Sequence, residues 1–205
     1  MRKYTKHYQN YLLSKVRKDL EDFFQDRSIF QILSIKSNSV CLNSHYGVFI
    51  SLKNKNQLLH GCIGIIKSQE SIGIAASRYA IEAVIHDIRF KSIDILDIGT
   101  ISIEISLLSK LRHVSPEDII IGVHGVVVEI NGETGVFLPE VALEEKLRMS
   151  RDLLEHLCRD KMGIDKDSYS KKKSKIYVST TQKIDELLVN SIFEKREYND
   201  RFSKS

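Results

Sequence analysis

Cysteine is scarce in this chain of 205 residues: Cys41, Cys62 and Cys158 lie far apart, with no Cys-x-x-Cys pair and no Cys/His spacing suited to zinc. An odd number without a framework reads as reduced thiols in a cytoplasmic protein. No apolar run approaches membrane-spanning length. The charged start Met1-Arg2-Lys3-Tyr4-Thr5-Lys6-His7 is not followed by the apolar core of a secretory signal. The expectation is a soluble protein with no membrane partner. Also missing are a Walker loop, a Gly-x-Gly-x-x-Gly fingerprint and a complete nucleophile signature, so nothing calls for a cofactor. The formal net charge of +4 is modest and spread among acidic residues, which neither demands nor excludes nucleic acid.

What remains is an ordinary globular composition, 42% hydrophobic and 28% charged, with room for one core or two small lobes sharing one. Leu12, Val16, Leu20, Phe23 and Phe24 recur at helical spacing and predict an amphipathic helix over Tyr11–Arg27. Ser34–Cys41 reads as a polar turn, Tyr46–Leu52 as a strand, and Lys53–Gln57 as a solvated loop. Ser71 is placed to cap a helix reaching about Asp87. That helix runs out into His86-Asp87-Ile88-Arg89-Phe90, either a salt-bridged end or an anion clamp facing a cleft. Alternation over Thr100–Leu108 predicts a strand with Ile101, Ile103, Ile105 and Leu107 in the core and a polar opposite face. Glu104 on that face is solvated, or lines a cleft if the face is covered.

Asn131-Gly132, between Gly125–Ile130 and Gly135–Leu138, predicts a hairpin. One long helix is expected from about Val141 to Met162, stopped by Gly163, with Cys158 on its core stripe and His156 facing solvent. The lysine-rich Asp165–Lys175 reads as a surface loop. A late strand, Ile176–Thr180, precedes a helix over Lys183–Phe193 and a charged tail. No internal repeat or low-complexity block divides the chain, which reads as a single domain over 1–205, with 182–205 its terminal helix and tail.

The most informative stretch is Leu58-Leu59-His60-Gly61-Cys62-Ile63-Gly64-Ile65-Ile66. Two glycines inside an apolar run weaken a strand unless a bulge, a turn or a close backbone approach is wanted. If the segment is extended, His60, Cys62 and Gly64 share one face, with Gly64 leaving a gap beside the thiol, while Leu59, Gly61, Ile63 and Ile65 share the other. Either Cys62 is a small buried hydrophobe and the glycines serve a bulge, or the thiol opens to a ligand.

Leu59-His60-Gly61-Cys62-Ile63-Gly64 resembles the Leu-Arg-Gly-Cys-Ile-Gly signature of the AMMECR family, called protein A of the AmmeMemoRadiSam system in prokaryotes. The resemblance is strongest over 47–181. It includes Gly47-Val48-Phe49-Ile50-Ser51-Leu52, Asp87-Ile88-Arg89-Phe90 for the family's Asp-Pro-Arg-Phe, and Glu104-Ile105-Ser106-Leu107-Leu108-Ser109. Gly122-Val123-His124-Gly125-Val126, Asn131-Gly132-Glu133-Thr134-Gly135 and Leu138-Pro139-Glu140-Val141-Ala142 follow in order. His60 in place of Arg, Ile88 in place of Pro, Glu140 in place of Gln and the absence of tryptophan mark a diverged member. The resemblance implies an α+β fold with a mainly antiparallel sheet, flanking helices, a smaller lobe and a cleft carrying the cysteine.

Three functions then stand open. Cys62 is a nucleophile with His60 or His124 as base; or the protein binds a small molecule or modified nucleotide beside radical-SAM and Memo-type partners, as an accessory to nucleotide or RNA modification; or it is a non-catalytic adaptor. Gly61, Gly64, Asp87, Arg89 and Glu104 are the candidate ligand-binding residues.

Overall fold

The computed structural model describes residues 4–26, 46–91, 93–94, 97–171 and 173–187. The expected turn at Ser34–Cys41, with Cys41 itself, and the expected helix beyond Leu187 fall outside them. The protein is α+β. It divides into two compact units, one comprising the chain up to Leu107 together with Gln182 onward, the other Leu108–Thr181. Among the described residues no helix is long and apolar enough to cross a membrane.

In the first unit, β1 (Val48–Lys53) pairs antiparallel with β2 (Leu59–Ile65) on one side and β3 (Ser102–Leu108) on the other. Alternate residues of a strand share a face. Val48, Ile50 and Leu52 of β1 are therefore fully buried with Ile103, Ile105 and Leu107 of β3 in one core, which α1 (Lys6–Asp26) joins through Leu12, Val16 and Leu20. Helix α2 (Ile72–Ile85) adds Ala75, Ala76 and Ala80. Ser71 caps α2 as expected, its side chain accepting from the Ile74 N–H. The other face of β3 departs from expectation: Ser102, Glu104 and Ser106 are all buried, so the strand is covered on both faces.

In the second unit, the part of β7 (Lys175–Asp185) up to Thr181 pairs with β4 (Arg112–His113) and β5 (His124–Ile130), and β5 with β6 (Glu133–Phe137), all antiparallel. Asn131 and Gly132 close the β5–β6 hairpin at φ 52° and 91°, the left-handed conformations a type I′ turn needs. Val126, Val128, Phe137, Leu153, Leu154, Leu157 and Cys158 form this unit's core.

The single long helix does not form. Helix α3 (Pro139–Glu144) ends where Lys146 adopts φ 56°, with the Lys146 N–H on the Leu143 carbonyl and the Leu147 N–H on the Ala142 carbonyl. This is a Schellman stop built without glycine, so the periodicity ran across it. The chain restarts as α4 (Ser150–His156) and continues through a π-helical turn, Leu157–Lys161. His156 is half-buried against the Phe137 ring and pairs with Asp160, rather than facing solvent.

The start of the expected last helix is strand: β7 runs on to Asp185. Gln182 accepts from the Tyr4 N–H at 2.9 Å, and Glu186 accepts from the Ile103 N–H at 3.0 Å and from Arg17 Nε at 2.9 Å. Side chains on either side of Ile184 thus hold the backbone extended, which apolar spacing alone does not encode.

Candidate functional site

Cys62 sits in a strand and not in a turn. Phe49↔Gly64, Ile50↔Ile63, Ser51↔Cys62 and Leu52↔Gly61 pair in register, and the next pair is Lys53↔Leu59. His60 is the extra residue of a bulge, so the alternation that placed it beside Cys62 stops at Gly61. The glycines answer to close backbone approach. A Cβ on Gly61 would lie 2.6 Å from the Ala83 carbonyl oxygen at the end of α2. A Cβ on Gly64 would lie 2.3 Å from the Val48 carbonyl oxygen and 2.4 Å from Phe49 Cγ. The gap expected beside the thiol at Gly64 is therefore filled by β1.

The segment after α2 clamps Cys62 through its backbone. The Cys62 N–H donates to Asp87 Oδ2 at 2.7 Å, and Arg89 Nη2 donates to the Cys62 carbonyl at 2.8 Å. Arg89 also holds Asp87 in a fork, Nε to Oδ1 at 2.8 Å and Nη2 to Oδ2 at 2.7 Å. Both backbone groups of Cys62 therefore point away from β1, as they must in a non-hydrogen-bonded antiparallel pair. Carboxylate and guanidinium take the place of a further strand.

The clamp is electrostatically matched. The Arg89 guanidinium holds the Asp87 carboxyl below the usual carboxylate range against the opposing effect of burial, with help from the Cys62 N–H. Asp87 in turn pushes Arg89 up, and the Cys62 side chain adds to that in the same direction. The guanidinium thus serves the carboxylate and the backbone of Cys62 together. Its side chain stays 54% exposed, so it can still meet an anion from solvent.

On the sheet itself Ser51 is the hinge of a polar row. It pairs with Cys62 on one side and Glu104 on the other, and its hydroxyl donates to Cys62 Sγ at 3.4 Å. Glu104 is buried and takes Lys53 Nζ at 2.8 Å and Lys183 Nζ at 2.9 Å. Burial pushes its carboxyl up, but the hydrogen bonds and charges of the two lysines together outweigh this and hold it below the ordinary value.

Cys62, Asp87 and Arg89 are thus in direct contact, and Glu104 is joined to them through Ser51. His60 is half-buried in the bulge. His124 belongs to the other unit, where its Nδ1 accepts from the Ile120 N–H at 3.1 Å; burial, then Arg112, lowers its pKa. Sequence reading missed Ser51, Lys53 and Lys183. Lys53 read as loop and Lys183 as helix, yet both are strand residues. The one available signal was the pair of alternations, which puts Ser51 and Lys53 on the same side as each other. Among the described residues no group of three His, Cys, Asp or Glu is placed to hold a metal ion.

The AMMECR1 family model matches residues 13–184. A protein of Methanococcoides burtonii is 32% identical over 163 residues, covering 75% of this chain and 76% of its own length. One from Pyrobaculum islandicum is 30% identical over 190 residues, covering 88% and 84%. Among solved structures, uncharacterized protein PH0010 from Pyrococcus horikoshii superposes with a TM-score of 0.77 over 87% of this chain and 91% of its own, at 22% identity, a likeness of fold.

Proposed function

The chain belongs to the AMMECR1 family, and from that premise we propose that Cys62 is the centre of a ligand-binding or catalytic site, acting beside the radical-SAM and Memo-type partners that the family resemblance implies. The observation that carries this is the Arg89 guanidinium, bonded to Asp87 and to the backbone carbonyl of Cys62 itself. A fixed cation beside a thiol favours the thiolate, the nucleophilic form. The Ser51 hydroxyl supplies a donor to the same sulfur. In the catalytic form of the reading, the sulfur forms a bond to an electrophilic carbon of the ligand as the leaving group on that carbon departs with its electron pair, and the thiol proton passes to a base, for which His60 is the candidate nearest in the chain.

Alkylation tests it. Cys62 should react with iodoacetamide near neutral pH faster than Cys158, whose thiol is fully buried and pushed up by that burial, with the modified sites located by mass spectrometry. A Cys62 that stays inert until the protein is denatured overturns the reading.

A protein-binding role at the same site is favoured by one feature. Ile88, between the two clamp residues, is 96% exposed, and Leu58, leading into β2, is 62% exposed. An adaptor would lose capture of radical-SAM or Memo-type partners on Ile88→Asp while Cys62 alkylation stayed unchanged.

A further inference from the structure

Resting on the protein-binding reading above, we propose that the surface around Ile88 docks an acidic segment of a partner protein, whose apolar side chains meet Leu58, Leu59, Ile85 and Ile88 and whose carboxylates meet Lys55, Arg89 and Lys91. Two stretches build it: 54–60, leading into β2, and 85–91, leaving α2. They abut. A Cβ on Gly61 would lie 2.6 Å from the Ala83 carbonyl oxygen, and the Cys62 backbone bonds both Asp87 and Arg89. All four apolar residues are exposed. One exposed aliphatic side chain is ordinary, but a group that two elements bring together marks an interaction surface.

Ile88 is the anchor. Its turn is closed by the Ile88 N–H on the His86 carbonyl at 3.0 Å and the Phe90 N–H on the Asp87 carbonyl at 3.1 Å, and the Asp87–Arg89 fork spans it. The outward side chain is thus held before any partner arrives, which lowers the ordering cost of binding.

The charges identify the partner. Stretches 54–60 and 85–91 contain one carboxylate, Asp87, whose side chain is 4% exposed where that of Arg89 is 54%. Glu82, a turn earlier in α2, is paired with His86. Lys55 and Lys91 are exposed and form no ion pair among the described residues. A partner therefore meets an apolar and positive surface, which complements acidic side chains set between apolar ones. The exposed anchors are aliphatic and offer no stacking platform for bases, so nucleic acid fits less well.

Two short fluorescein-labelled peptides test this, one of Leu and Glu and one with Lys at each Glu, each titrated with the full chain and followed by anisotropy. The Leu/Glu peptide should bind about tenfold or more tightly than the Leu/Lys peptide, and the difference should shrink in about 0.5 M salt. Ile88→Asp should abolish binding. Lys55→Glu combined with Lys91→Glu should weaken the Leu/Glu peptide about tenfold at an unchanged melting temperature, whereas Lys161→Glu in the other unit should not weaken it. Equal affinity for the two peptides, or wild-type affinity in the double variant, overturns the proposal; loss of both peptides in Ile88→Asp then leaves the protein-binding reading standing without it. Binding of neither peptide overturns the proposal too, and the capture comparison on Ile88→Asp decides the reading by itself. Sedimentation with phosphatidylserine vesicles, lost in Ile88→Asp while neither peptide binds, would assign the surface to a membrane and likewise overturn the proposal.

Discussion

Gly64 fits a structural demand, because the atoms that would meet its Cβ belong mostly to the backbone of β1 and cannot rotate away. Gly64→Val would bring a branched side chain against the Val48 carbonyl and Phe49 Cα, the latter 2.5 Å from the Cβ position. The strands must part, and a loss of about 3 kcal/mol or more is expected, at the upper end for single substitutions; chemical denaturation measures it. Arg89 carries a different constraint. Its fork bonds both oxygens of Asp87 and also reaches the Cys62 carbonyl. A lysine keeps the charge but presents one nitrogen, so it cannot hold all three. Arg89→Lys should therefore cost about 1–2 kcal/mol and slow Cys62 alkylation several-fold. Equal rates and stability in Arg89→Lys and wild type would show that charge alone suffices there.

The element that unites these residues is an outer strand, β2, finished by side chains from the segment after α2. Its acid sensitivity follows from Asp87, whose folded-state pKa lies below the unfolded value. A depressed carboxylate contributes stability that is fully present above the unfolded pKa, near 4, and is lost as pH falls toward the folded one. Asp87→Asn should be destabilised at pH 7 and should lose part of the steep decline in melting temperature below about pH 4. An Asp87→Asn protein that follows the wild-type acid curve would refute the assignment. Much of this was legible in the sequence: glycines in an apolar run announced close approach, and Asp87-x-Arg89 stood at the end of a capped helix. The bulge at His60 was not, because which residue is extra depends on the partner strand's register. Nor was the stop at Lys146, where a non-glycine residue takes the left-handed position.

At the scale of the whole chain, local period was legible and long-range closure was not. Alternation found β3 and helical spacing found α1, but the burial of both faces of β3 and the extension of β7 past Thr180 come from groups far apart in sequence. Glu186 illustrates this: it accepts from Arg17 of α1 and from the Ile103 N–H of β3, while Arg17 also donates to the Ile98 and Ile101 carbonyls at 3.0 and 2.7 Å. One pair thus fastens the first helix, a strand and the returning chain of the same unit. The Arg17 and Glu186 side chains are only 20% and 13% exposed, so solvent screens them less than it does Lys18–Asp22 on the same helix, at 72% and 47%. Glu186→Gln keeps the shape but removes the charge and leaves one amide nitrogen facing donors. It should lower the melting temperature by roughly 4–8 °C, corresponding to about 2 kcal/mol in a chain of this size. Hydrogen exchange at the Ile103 amide should quicken, while the Val127 amide in the other unit keeps its wild-type rate. Lys18→Ala should leave the melting temperature unmoved. If the two substitutions prove equally mild, the chain's return is held by the burial of Ile184, 1% exposed in the first unit's core, and not by the charged pair.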